Sequence, residues 1–167
     1  MKISFVKLWI ISLWRLLKNN IRTIYFNSKQ YNQSLKATPA SRNYDIHNVH
    51  ILGELQDKNT KNYILAKQFK KNLWKINNLK QERINNLHKF SWLPHLDIKK
   101  DKELAKIIID AWLEKNNHYQ STTWDLLVLA NRIIFWITSP SLTICHDDLI
   151  YRTKITNSIL KQCVHLS

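Results

Sequence analysis

Arg132 and Trp136 stand one helical turn apart in the run TTWDLLVLANRIIFWITS, and by type they suit an acidic sugar. A guanidinium grips a carboxylate through paired N–H donors, and an indole can cover the flat face of a pyranose. Trp92 and Trp124 extend this candidate saccharide contact along the chain. The competing use of all four is packing. Aromatics recurring at helical spacing ordinarily fill a core, and a buried Arg ordinarily pairs with an acid or a helix end. His118-Tyr119 is the best acid–base pair by residue type, but no carboxylate lies near it in sequence to orient it, which favours a solvated loop. His47 and His50 lack a third metal ligand nearby, so no metal site is expected. Cys145 and Cys163 match no zinc spacing and read as small apolar residues. Asp147-Asp148 most simply opens a helix.

The elements that must position these residues are helical. Leu79, Ile84, Leu87, Phe90 and Leu93 share one broad face, and Pro94 stops that helix. Asp101 is placed to cap the next, in which Leu104, Ile107, Ile108, Ala111 and Trp112 follow the helical period. Thr122 or Thr123 is placed to cap a third, with Asp125 in its first turn. From Leu126 to Ile137 this third helix is apolar almost all round, which predicts burial on more than one side, and Pro140 ends it. A last helix follows Asp147 or Asp148, with Leu149, Ile155, Ile159, Cys163 and Leu166 inward. Short connections predict antiparallel neighbours. Thr60 to Lys75 fits either a helix or a strand ending near Trp74.

Composition narrows the function classes. The chain has 167 residues, seven Trp, three Pro and a single Gly, Gly53. One glycine excludes the phosphate-cradling and dinucleotide-binding loops, which need Gly where backbone approaches phosphate, and speaks against a turn-rich all-β fold. The net charge is +14, which points toward nucleic acid or an anionic membrane. That charge is uneven: residues 1–80 hold 15 basic and 3 acidic side chains, residues 81–167 hold 11 and 9. The Trp-rich half is therefore nearly neutral. A nucleic-acid binder would use residues 1–80.

Within residues 3–26, Ser4, Lys7, Arg15, Lys18 and Arg22 fall in one narrow arc, with Phe5, Trp9, Leu13, Leu16 and Leu17 opposite. This basic stripe on an apolar helix has three readings. It can lie on an anionic membrane surface, with Lys7, Arg15, Lys18 and Arg22 at the headgroups. It can be a weak signal sequence, or it can pack on the rest of the protein. The uninterrupted apolar run, Leu8 to Trp14, is too short to span a bilayer. The organisation expected is a basic amphipathic helix over 1–26, a polar arm over 27–78 with room for short strands in IHNVHILGEL, and a Trp-rich helical domain over 79–167.

The blocks Leu87-x-x-Phe90-x-Trp92-Leu93-x-x-Leu96, Ala111-Trp112-Leu113, Trp124, Arg132-x-x-x-Trp136-Ile137 and Ser158-Ile159-Leu160-Lys161-Gln162-x-x-His165-Leu166 together resemble the amino-terminal helical part of the bacterial heparinase II/III-like proteins, a polysaccharide lyase family. The resemblance covers about half of the chain and lies in the order and spacing of the blocks. It implies a mainly α fold, a partial α/α toroid of antiparallel helix pairs that a β-sandwich follows. It also implies β-elimination on acidic polysaccharides, in which a Tyr or His takes the proton beside the uronic carboxylate while an Asn or His neutralises that carboxylate. No catalytic Asn, Tyr or His of the family matches here, and the match reaches Ser167 about where the family's catalytic half begins. The expectation is a non-catalytic remnant of a truncated or split lyase, without cofactor, that works only with a downstream toroid and β-sandwich half or by self-association. The bacterial cytoplasm or inner-membrane surface is favoured over the periplasm. The rival readings are a peripheral membrane protein anchored by residues 3–26 and a small basic nucleic-acid binder.

Overall fold

The computed structural model describes residues 5–35, 61–76 and 78–166. The chain divides into two compact units, 1–36 and 37–167. Among the described residues the fold is mainly α, with seven α-helices and no strand. The stretch expected to hold short strands, residues 46–55, lies outside the described residues.

The first unit consists of α1 (Phe5–Phe26) and α2 (Lys29–Ser34). Ser28 ends one helix and starts the other: its hydroxyl accepts from the Tyr31 amide at 3.1 Å, satisfying a helix-start donor. The turn brings the Tyr31 ring onto Tyr25 and Phe26, with centroids 5.2 and 4.7 Å apart. No residue of α1 is buried.

In the second unit, α3 (Lys61–Phe69) runs into a 3₁₀ turn (Lys70–Lys75). The Thr60–Lys75 alternative thus resolves as helix. This segment packs on α5 (Lys102–Asn116): Trp74 Nε1 donates to the Ile108 carbonyl at 2.9 Å, and Lys115 Nζ donates to the Trp74 carbonyl at 2.6 Å. Residues 61–76 accordingly pack with the Trp-rich helices, inside the unit 37–167.

Then α4 (Gln81–His88) stops well before Pro94. The reason is Phe90, which takes a left-handed backbone conformation (φ 59°) and is fully buried. For a bulky residue that conformation costs on the order of 1–2 kcal/mol, which the burial of a Phe ring offsets at about 1.5–3 kcal/mol. The ring becomes a hub, with centroids 5.5 Å from Trp74, 5.4 Å from Trp92, 5.9 Å from Trp112 and 5.3 Å from Trp136. Pro94 instead lies in the first positions of a short 3₁₀ turn, Leu93–His95.

One expected cap keeps its place without its bond, and another is a different residue. Asp101 precedes α5 but makes no capping bond; its carboxylate accepts from the Asp97 amide at 3.1 Å and pairs with Lys67 at 2.9 Å. Helix α6 (Leu126–Thr138) is capped by Asp125, which accepts from the Leu127 and Val128 amides, and not by Thr122 or Thr123. The carboxylate directly before the helix outcompetes hydroxyls two and three residues earlier because its oxygen reaches the second and third turn amides. Asp148 does start α7 (Leu149–Leu166), accepting from the Tyr151 amide at 3.0 Å.

Lys102–Asp147, Lys106–Asp148 and Asp110–Lys154 pair in ascending order along α5 and the segment that leads into α7, so these two helices run parallel and in contact. The inward faces are Ala105, Ile108, Ile109, Trp112 and Leu113 on α5, and Tyr151, Ile155, Ser158, Ile159 and Gln162 on α7. Ile107, Leu149, Cys163 and Leu166, expected inward, are exposed. Of the apolar residues of α6, Leu126, Leu127, Ile134 and Ile137 remain exposed.

Candidate functional site

Arg132 sits on the buried face of α6 with none of its surface exposed. Its Nε donates to Gln162 Oε1 on α7 at 2.8 Å, and its Nη1 donates to the carbonyls of His88 (3.1 Å) and Thr123 (3.0 Å). The guanidinium lies over the Trp112 ring, 4.3 Å from its centroid. Among the described residues it has no carboxylate partner, and Nη2 is buried without a hydrogen bond. Burial alone lowers its pKa to about 9. Arg132 therefore ties α4, α6, α7 and the α5–α6 loop together.

The three Trp of the candidate saccharide contact are equally enclosed. Trp92 donates through Nε1 to the Leu87 carbonyl at 3.1 Å, and Trp124 to the Asn116 carbonyl at 3.0 Å. Trp136 meets Trp112 edge-on at 5.4 Å, its Nε1 buried without a partner. None of Trp92, Trp124, Trp136 and Arg132 presents a face to solvent, so in this arrangement none can stack on a sugar or reach its carboxylate. The structure brings the four together as core.

The other candidates separate. His118 is exposed, while Tyr119 turns its ring toward Trp124 and His165, at 6.3 and 5.5 Å. They are not a paired acid and base. Cys145 and Cys163 are free and exposed. Among the described residues no three His, Cys, Asp or Glu could hold a metal ion, and His47 and His50 lie outside them.

Lys7, Arg15, Lys18 and Arg22 are all exposed on α1, and so are Phe5, Trp9, Leu13, Leu16 and Leu17. No described helix is long and apolar enough to cross a membrane.

Sequence reasoning missed a cavity of about 180 Å³ between the 3₁₀ turn 70–75, α4 and the α5–α6 loop. His88, Lys115, Gln120 and Thr123 line it beside Leu73 and Trp74. His88 Nδ1 accepts from Trp112 Nε1 at 2.9 Å, and the imidazole stacks on Trp74. Burial, then the charges of Arg132 and Lys115, push its pKa down to about 3, so His88 is neutral and carries its proton on Nε2. These residues come from four segments with no common spacing, so no sequence motif could have marked them.

No family model matches the chain, and neither a curated protein nor a solved structure matches it.

Proposed function

We propose that residues 79–166 are a non-catalytic helical arc of a heparinase II/III-like polysaccharide lyase, a partial α/α toroid that holds its shape through its own aromatic and arginine network. One observation carries this reading. The residues on which the resemblance rests are also the ones that lock the blocks to each other. Arg132 bonds Gln162 and stacks on Trp112, and Phe90 gathers Trp92, Trp112 and Trp136. The arc brings no proton-transfer pair of its own, so elimination on an acidic polysaccharide belongs to the assembled enzyme. Its partner is the remaining toroid and β-sandwich half, and the exposed Leu126, Leu127, Leu149 and Ile150 are apolar surface available for such a partner or a second copy. The test mixes the full chain with a heparinase II/III-like lyase from which the matching arc has been deleted. Co-elution and a regained rise in absorbance from unsaturated uronic ends support the reading; two species that never associate contradict it.

A specific observation favours a second role for the first unit. Helix α1 exposes large apolar side chains along its whole length, among them Trp9 (65 %), Trp14 (69 %) and Ile24 (72 %), beside the basic stripe of Lys7, Arg15, Lys18 and Arg22. A helix of this kind lies in the headgroup region of an anionic bilayer. Nucleic acid fits it less well, because a phosphate backbone would leave the indoles and aliphatic side chains uncovered. Sedimentation with vesicles containing an anionic lipid tests this role, and binding equal to that of the chain lacking residues 1–26 would exclude it.

A further inference from the structure

The cavity beside His88 has one cation in its wall, Lys115, and no side chain that carries negative charge. At about 180 Å³ it has room for several water-sized groups, each about 30 Å³ in the liquid. No Asp or Glu lines it. Lys115 reaches it with an ammonium that has spent one of its three donors on the Trp74 carbonyl. Thr123, 3 % exposed, has a buried hydroxyl without any hydrogen-bond partner. Behind the wall, Arg132 donates to the carbonyls of two lining residues, His88 and Thr123, while no carboxylate among the described residues balances its charge.

A buried hydroxyl left unbonded and a buried cation left unpaired each carry a free-energy cost. One small anion in this cavity would relieve both. We propose that the cavity is a binding site for a single small oxyanion, a carboxylate or a phosphate-type group, held directly by the Lys115 ammonium and the Thr123 hydroxyl within the field of Arg132. Neutral His88 contributes an N–H dipole and no charge, and the stacked Trp74 and Leu73 form the apolar side of the site. The site is independent of the lyase reading: the residues that would hold the anion, Lys115 and Thr123, are not among those of the resemblance.

The test is a titration of the full ¹⁵N-labelled chain with acetate, glucuronate and inorganic phosphate, against sodium chloride at matched ionic strength. The signals followed are the Trp74 and Trp112 indole N–H groups and the Thr123 amide. Saturable shifts with an oxyanion and none with chloride are expected. Lys115→Met and Thr123→Val should each weaken binding by about tenfold or more, the size of one hydrogen bond to a charged group. Thr123→Val keeps the buried shape, so it still reports if Lys115→Met is disturbed by losing the bond to the Trp74 carbonyl. Saturation by the carboxylates alone assigns a carboxylate ligand, and saturation by phosphate alone assigns a phosphate ester; either supports the site. Shifts that never saturate, or that persist unchanged in both variants, overturn it.

Discussion

Replacing Arg132 separates a structural clamp from a ligand-binding arginine. In Arg132→Met the three acceptors it serves, Gln162 Oε1 and the carbonyls of His88 and Thr123, lose their donor, and the stacking on Trp112 goes with it. At about 2 kcal/mol for each stranded acceptor and about 2 kcal/mol for a desolvated cation–π contact, about 8 kcal/mol is lost. Against this, the guanidinium no longer has to be buried. The burial that lowers its pKa to about 9 corresponds to about 5 kcal/mol returned. The net expectation is a destabilisation of about 3 kcal/mol, a large share of the 5–15 kcal/mol that holds a typical domain. Urea unfolding followed by Trp fluorescence measures it. Arg132→Lys sharpens the test: it keeps a charge to be buried but loses the planar fork that serves three acceptors, so it should be no milder than Met. A sugar-binding arginine at a cleft would show the reverse order and little change in stability. Both variants within about 0.5 kcal/mol of the parent would refute the clamp.

Other outcomes follow from the same geometry. His88 is held neutral down to about 3, whereas an unfolded chain protonates its histidine near about 6.5. The unfolded state then binds more protons across that window, so this contribution is full above it and is lost as pH falls toward the lower value. The urea midpoint should drop between neutral and mildly acidic pH, and His88→Gln, whose amide oxygen still accepts from Trp112, should flatten the drop; an equal slope in both proteins counts against it. Asp125→Ala should cost about 1 kcal/mol in the same assay as a lost helix cap, and Thr122→Ala almost nothing; the opposite ranking would return the cap to the threonines. Leu13→Glu in α1 should abolish sedimentation with anionic vesicles, while added salt should weaken it only in part because apolar burial persists. Complete loss in salt with no effect of Leu13→Glu would reduce the contact to charge alone.

Periodicity made the helices visible, because Leu, Ile and Trp at helical spacing have few alternatives in a chain with one Gly. It gave their faces less well. The apolar residues of α5 and α7 cover more than one side, so the pattern placed Ile107 and Leu149 inward where the fold buries Ile109 and Tyr151. The stop of α4 was illegible because it depends on Phe90 taking a left-handed turn to bury its ring, which no propensity predicts. Arg132 and Trp136 were legible as a pair, but not their direction. Only Gln162, thirty residues on, and the carbonyls of His88 and Thr123 make the arginine an inward clamp.

The central claim is that the Trp and Arg signature of this chain is spent on packing. The Trp indole N–H signals test it most directly, through hydrogen exchange and titration with an acidic oligosaccharide. Trp74, Trp92, Trp112 and Trp124 donate to buried partners, and Trp136 is fully buried, whereas Trp9 and Trp14 are exposed. The account predicts slow exchange for the first five and fast exchange for the last two, with the Trp92, Trp124 and Trp136 signals unmoved by the oligosaccharide. Rapid exchange at those three positions, or saturable shifts there on adding the sugar, would contradict it.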